Sequence, residues 1–155
     1  LKKGGKLIFI RHAYAPGGGD PDNFDINNCD TQRNLNEIGR QQAKKIGAFF
    51  EDNNIVVNEI YSSEWCRCKE TAQIAFNRYE KKNFLNSFFS SKFIKNKDSQ
   101  MIKLKKFIKD HDNKKNIIFL THYVVINETL NYSPNSGEII VIDKNYNILG
   151  NLITD

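Results

Sequence analysis

The chain has 155 residues, enough for one domain with a real core and too few for two independent ones. A hydrophobic fraction of 39% with 12% aromatics excludes disorder as the main state. The formal charge of +5 suits an anionic ligand. The lysines are scattered, however, with no aromatic-interleaved stripe or recognition helix, which argues against nucleic acid, and no apolar run is long enough to span a membrane.

Lys6 to Ile10 reads as an apolar strand that ends in Arg11 and His12. Open α/β sheets bind ligands outside the carboxyl ends of their strands. Here that end delivers a guanidinium fork suited to phosphate oxygens and a ring nitrogen able to attack phosphorus. Residues 13–35, with Pro16-Gly17-Gly18-Gly19-Asp20-Pro21, lack periodicity. A loop this long in a compact domain is usually functional, a surface excursion being the alternative. Glycines beside Arg11-His12 would let backbone approach a phosphate closely.

Asn36 suits the N-cap of a first helix, on which Ile38, Gln42, Ile46, Phe49, Phe50 and Asn53 share a mostly apolar face expected in the core. A second short strand, Glu59 to Ser63, precedes a helix running to about Tyr79, with Arg67 in its first turn. There the guanidinium and free backbone N–H groups could face an anion together. From Lys81 to Asp98 the pattern is weak, leaving Phe84, Leu85, Phe88 and Phe89 exposed unless the segment folds back over the pocket. Met101, Leu104, Phe107 and Ile108 predict a third amphipathic helix ending near Asp110. Asn116 to Thr121 predicts a buried strand that ends in His122, followed by a helix from Val124 to Leu130. Gly137 to Ile142 and Tyr146 to Ile153 read as two last strands about a turn at Asp143-Lys144-Asn145. The layout is an α/β sandwich, mostly parallel with an antiparallel addition, in a single domain over residues 1–155.

Cys66 and Cys68 are two apart, which on a helix points them to different faces and fits a metal poorly. Cys29 could bridge to Cys66 or Cys68 in an exported protein, and three buried thiols are the alternative.

Taken as an ordered set, Arg11-His12-Ala13, Arg67 and His122 resemble the histidine phosphatase (phosphoglycerate mutase-like) superfamily, in its small bacterial branch. Cys29 to Ala43 resembles the family's approach to its first helix, Ser62 to Ala72 its second-helix motif, and Ser136-Gly137-Glu138 the lead into a late strand. The resemblance implies a three-layer sandwich with helices on both faces of the sheet. It also implies a phosphatase, free of metal and cofactor, acting on a phosphomonoester or phosphoramidate of a small molecule or phosphoprotein. His12 would carry the phosphoryl group, with Arg11, Arg67 and His122 around it and Arg33 as a secondary contact. The alternatives are a phosphoglycerate mutase-type transferase and a phosphate-binding pseudoenzyme. Ala13 stands where the family has glycine, and Tyr123 where some members carry an acid. The general acid is therefore open among Glu138, Asp98, Glu80, Asp20 and Asp30. Relatives in that branch often carry an export signal, which implies a periplasmic or otherwise exported protein, with a cytoplasmic one as the alternative.

Overall fold

The computed structural model describes residues 1–111 and 114–154. Six strands form one sheet: β1 (Leu7–Arg11), β2 (Glu59–Ser62), β3 (Glu80–Lys81), β4 (Ile117–Thr121), β5 (Ile139–Ile142) and β6 (Ile148–Leu152), in the order β3-β2-β4-β1-β5-β6. The first four are parallel, and β5 and β6 add antiparallel at one side. Among the described residues four α-helices accompany the sheet, α1 (Glu37–Asp52), α2 (Cys66–Phe76), α3 (Lys97–Asp110) and α4 (Tyr123–Leu130), with three short 3-10 turns.

The central strands read as unbroken apolar runs because both faces are covered. Along β1 and β4, Leu7, Phe9, Ile117 and Phe119 point into a cluster with Leu104, Ile108 and Ile126 from α3 and α4. Ile8, Ile10, Ile118 and Leu120 point the other way, against Ile46 and Phe50 of α1 and Ala72 of α2. Side chains alternate across a strand, so these two clusters define the three layers. Among the described residues no helix is long and apolar enough to cross a membrane.

Several local expectations change. Ile38 is 66% exposed, and the inward face of α1 is Gly39, Ala43, Ile46, Gly47 and Phe50. Close approach decides this rotation: a Cβ at Gly39 would lie 2.0 Å from the Tyr14 carbonyl oxygen. Helix α2 stops at Phe76 instead of Tyr79 because Asn77 turns left-handed, and Glu80–Lys81 then adds a short parallel strand beside β2. Helix α3 starts at Lys97, four residues before the apolar pattern begins. The segment before it folds back: Phe84, Leu85 and Phe88 are buried, whereas Phe89 is 71% exposed.

Candidate active site

Strand register builds the centre of the site. Arg11 of β1 pairs with Thr121 of β4, and the His12 N–H continues the ladder to the Thr121 carbonyl at 2.9 Å. His12 and His122 therefore leave adjacent strands side by side, with ring centroids 5.5 Å apart, and both are buried.

Hydrogen bonds fix both tautomers. His12 Nδ1 lies 2.8 Å from the Ala13 carbonyl, which can only accept, so Nδ1 carries the proton. The lone pair is then on Nε2, where the Arg67 Nε–H donates to it at 3.3 Å. For His122 the argument runs through two polar neighbours. Asn86 Oδ1 accepts from the Glu64 N–H and from the Ser63 hydroxyl, which spends the only Ser63 proton. Ser63 Oγ, 2.8 Å from His122 Nε2, must accept there, so His122 is protonated on Nε2 and bare on Nδ1. That Nδ1 is buried and without a hydrogen-bond partner. Burial, reinforced by the Arg67 charge, holds both imidazoles neutral, well below the ordinary value of 6.5. Burial also pushes the Cys68 thiol, 3.5 Å from His122 Nε2, up to about 12, so it stays protonated.

Three guanidinium groups and one carboxylate surround this pair. Arg67, in the first turn of α2, binds both oxygens of Asp20, at 2.7 and 3.3 Å. Arg11 donates from Nη1 to the Pro134 carbonyl and stacks over the Tyr123 ring. Arg33 donates from Nη1 to the carbonyls of Ala15 and Gly17. The Nε atoms of Arg11 and Arg33, like His122 Nδ1, are buried and unpartnered. They are three of five such atoms among the described residues, and each is costly unless something answers it. All three residues line one cavity of about 400 Å³ that also takes in His12, Arg67 and Asp20.

Three of the N–H groups at the start of α2 are already taken within the protein. The Cys66 N–H is taken by the Gln32 side chain, and the N–H groups of Cys68 and Lys69 by the Trp65 carbonyl. A disulfide from Cys29 to Cys66, with Cα atoms 5.7 Å apart, ties the long loop to the start of that helix, and Cys68 is free and buried.

Of the five acids, Asp20 alone lines the cavity. The positive φ of Gly17 (87°) and Gly19 (79°) lets the loop turn tightly enough to bring it there. Its burial would raise the pKa, but the bonds and charge of Arg67, the Arg33 N–H and the Trp65 indole outweigh this and hold it below the ordinary aspartate value. Glu138 is buried behind β1, bound by Tyr132, Asn135 and Asn151. Glu80 sits on the edge strand and pairs with Lys82. Asp98 is exposed in the first turn of α3, and Asp30 is exposed in a 3-10 turn. Ser63, Asn86 and Trp65 escaped sequence reading. Ser63 and Trp65 lie inside the second-helix motif, whereas nothing local singles out Asn86.

Residues 7–84 match the model of the histidine phosphatase superfamily, branch 1. The chain belongs to this superfamily. Within the superfamily, a curated relative is the mitochondrial serine/threonine-protein phosphatase Pgam5 of Drosophila grimshawi, 32% identical over 90 residues, which cover 57% of this chain and 28% of that protein. The chain thus spans under a third of that relative. Two solved structures share the fold over nearly their whole length. Phosphoglycerate mutase from Thermus thermophilus has a TM-score of 0.69 at 15% identity, covering 97% of this chain and 99% of that one. The protein described as phosphohistidine phosphatase SixA of Agrobacterium tumefaciens has a TM-score of 0.62 at 18% identity, covering 96% and 97%.

Proposed function

We propose that the chain is a phosphatase that hydrolyses a phosphomonoester or phosphoramidate through a phosphohistidine on His12, with no metal ion. One observation carries this reading: His12 presents an unprotonated Nε2 inside a cavity where three guanidiniums and a second imidazole outweigh the single carboxylate of Asp20. A neutral imidazole is a competent nucleophile. Attack of Nε2 on phosphorus forms the P–N bond as the P–O or P–N bond to the leaving group breaks. Arg67 and Arg11 hold equatorial oxygens and stabilise their charge, a role that elsewhere falls to Arg, Lys or metal clamps. His122 is neutral in the free protein and gains a proton most readily when a phosphate dianion lies beside it. Water then attacks the phosphohistidine and releases inorganic phosphate. Arg33, which shares the cavity, contacts the substrate from the loop side.

The Cys29–Cys66 bridge supports work outside a reducing cytoplasm, in the periplasm or an equivalent exported location. The test is turnover of a panel of phosphate esters and phosphoramidates in the presence of EDTA, with acid quench to trap the phosphoprotein. Wild type should turn over and label; His12→Ala should do neither while keeping its fold. Turnover surviving His12→Ala, or lost in EDTA, would refute the mechanism. Isomerisation of phosphoglycerate in place of release would point to a mutase, and phosphate binding without turnover to a pseudoenzyme.

A further inference from the structure

We propose that the substrate carries its phosphate on an aromatic ring, as an aryl phosphomonoester whose ring lies between the glycine loop and the Phe89–Phe93 wall. This rests on the phosphatase reading of the same cavity. Two independent observations carry it.

The first is the shape and chemistry above the phosphate floor. Arg11, His12, Arg67 and His122 lie together, and a phosphoryl group there leaves most of the roughly 400 Å³ unused. Much of the remaining wall is aromatic or aliphatic, Trp65, Phe89, Phe93, Tyr123 and Val124, with Ser87 and Ser90 beside them. Phe93 packs edge-on to Trp65 with centroids 5.5 Å apart, so these two rings brace each other. Phe89 is 71% exposed, more than any other large hydrophobic among the described residues, although Phe84, Leu85 and Phe88 just before it are buried. Its backbone is braced, with the Phe89 N–H donating to Ser87 Oγ. A braced, exposed aromatic at the mouth of a polar pocket suits a ring that stacks on it. In the same cavity, Gly17, Gly18 and Gly19 offer backbone without side chains.

The second is the lack of a carboxylic acid free to protonate the leaving group. Asp20 is the only carboxylate among the described residues that lines the cavity, and both its oxygens already accept. Oδ1 takes Arg67 Nη1 and the Arg33 N–H; Oδ2 takes the Trp65 indole and Arg67 Nη2. The Tyr123 hydroxyl is engaged with Ser133. No carboxyl group in the cavity is free to protonate a leaving group, and a proton taken up by His122 answers the phosphoryl oxygens, so the site favours a leaving group that departs as its anion. Phenols ionise near pKa ~10, whereas alkanols are closer to the ~16 of water. In the first step the Nε2–P bond forms, the P–O(aryl) bond breaks, and the electron pair leaves on the phenolate, which takes a proton from water. In the second, water attacks phosphorus, the P–N bond returns its pair to Nε2, and the water proton goes to solvent. The sum is aryl phosphate plus water giving phenol plus inorganic phosphate.

The experiment compares kcat/KM for phenyl phosphate, a phosphotyrosyl peptide, β-glycerophosphate, a phosphoseryl peptide and N-phosphoimidazole, on wild type and Phe89→Ala. Aryl substrates should exceed alkyl ones by about a hundredfold or more, the range that general acid assistance normally supplies. Phe89→Ala should raise KM for phenyl phosphate about tenfold while leaving inhibition by inorganic phosphate unchanged. The free ester against the peptide tells whether the ring arrives alone or on a protein. Alkyl and aryl esters turned over equally, N-phosphoimidazole preferred, or Phe89→Ala without effect would each overturn the proposal and leave the phosphatase standing. Turnover of none of the five would sink the phosphatase reading and this one with it.

Discussion

Asp20 is the residue on which the pocket turns. Three guanidiniums less one carboxylate leave two positive charges beside two neutral imidazoles, a match for a phosphate dianion. Arg67, with 4% of its side chain exposed, is held ready by Asp20 until an anion competes for it. Asp20→Asn keeps the shape and, because its amide nitrogen cannot accept, only one of the Arg33 and Trp65 contacts, and it removes the competing charge. Inhibition by inorganic phosphate should tighten by about tenfold, a fraction of the ~4 kcal/mol that charges 4 Å apart exchange at the effective dielectric of a protein surface. The free protein should lose thermal stability, because a buried guanidinium loses its counter-charge, and added phosphate should restore it. Phosphate binding that weakens in the variant would refute this role. At this scale Arg11, His12, Arg67 and His122 were legible because each closes an apolar strand or opens a helix. The choice of Asp20 among five acids was not. It depends on a glycine turn that carries the residue back across the pocket, and no spacing rule encodes that path.

Among the elements, α2 and the loop before α1 act as one unit. The Cys29–Cys66 bridge, the Gln32 side chain on the Cys66 N–H and the Asp20–Arg67 pair all cross the same seam. Closing a span of 37 residues in the unfolded chain is worth roughly 4 kcal/mol on the chain-entropy account. Replacing Cys29 and Cys66 together with serine should lower the melting temperature accordingly and raise KM more than it lowers kcat, since the loop carrying Asp20 and Arg33 loosens. Equal melting temperatures with and without the bridge would exclude its structural role. The helices and the long strands followed from apolar periodicity. The two-residue β3 and the inward turn of Phe84, Leu85 and Phe88 did not, because tertiary contacts alone give that segment its shape. The exposed Ile38 shows the converse: backbone contact at Gly39 overrode the side-chain pattern of α1.

For the whole molecule, the buried imidazoles set the acid limit. Folding keeps His12 and His122 neutral, with pKa values well below 6.5. Above pH 6.5 neither state binds protons at these residues, and their contribution does not change. As the pH falls below 6.5 the unfolded chain takes up protons that the native state refuses, so stability drops by up to about 1.4 kcal/mol per pH unit for each histidine. The carboxylate of Asp20, whose pKa is also lowered, adds its own loss only further down, through the ordinary aspartate range. Urea unfolding at pH 7.5 and 5.5 should show this difference, and His12→Gln should roughly halve it. Stability that rises toward pH 5.5 would contradict the assignment of neutral rings.

The in-register pairing of β1 with β4 has a further consequence, in the time domain. Lys6 bonds the side chain of Asn116 across 110 residues of chain, so the two strands are among the last segments that a refolding polypeptide can bring together. Helices and local turns can form while the pocket does not yet exist. A slip of one residue in that pairing would send His12 and His122 to opposite faces of the sheet, leaving a compact, helical and inert species. Regain of nucleophilic chemistry therefore marks the arrival of the correct register, later than any signal that reports secondary structure alone.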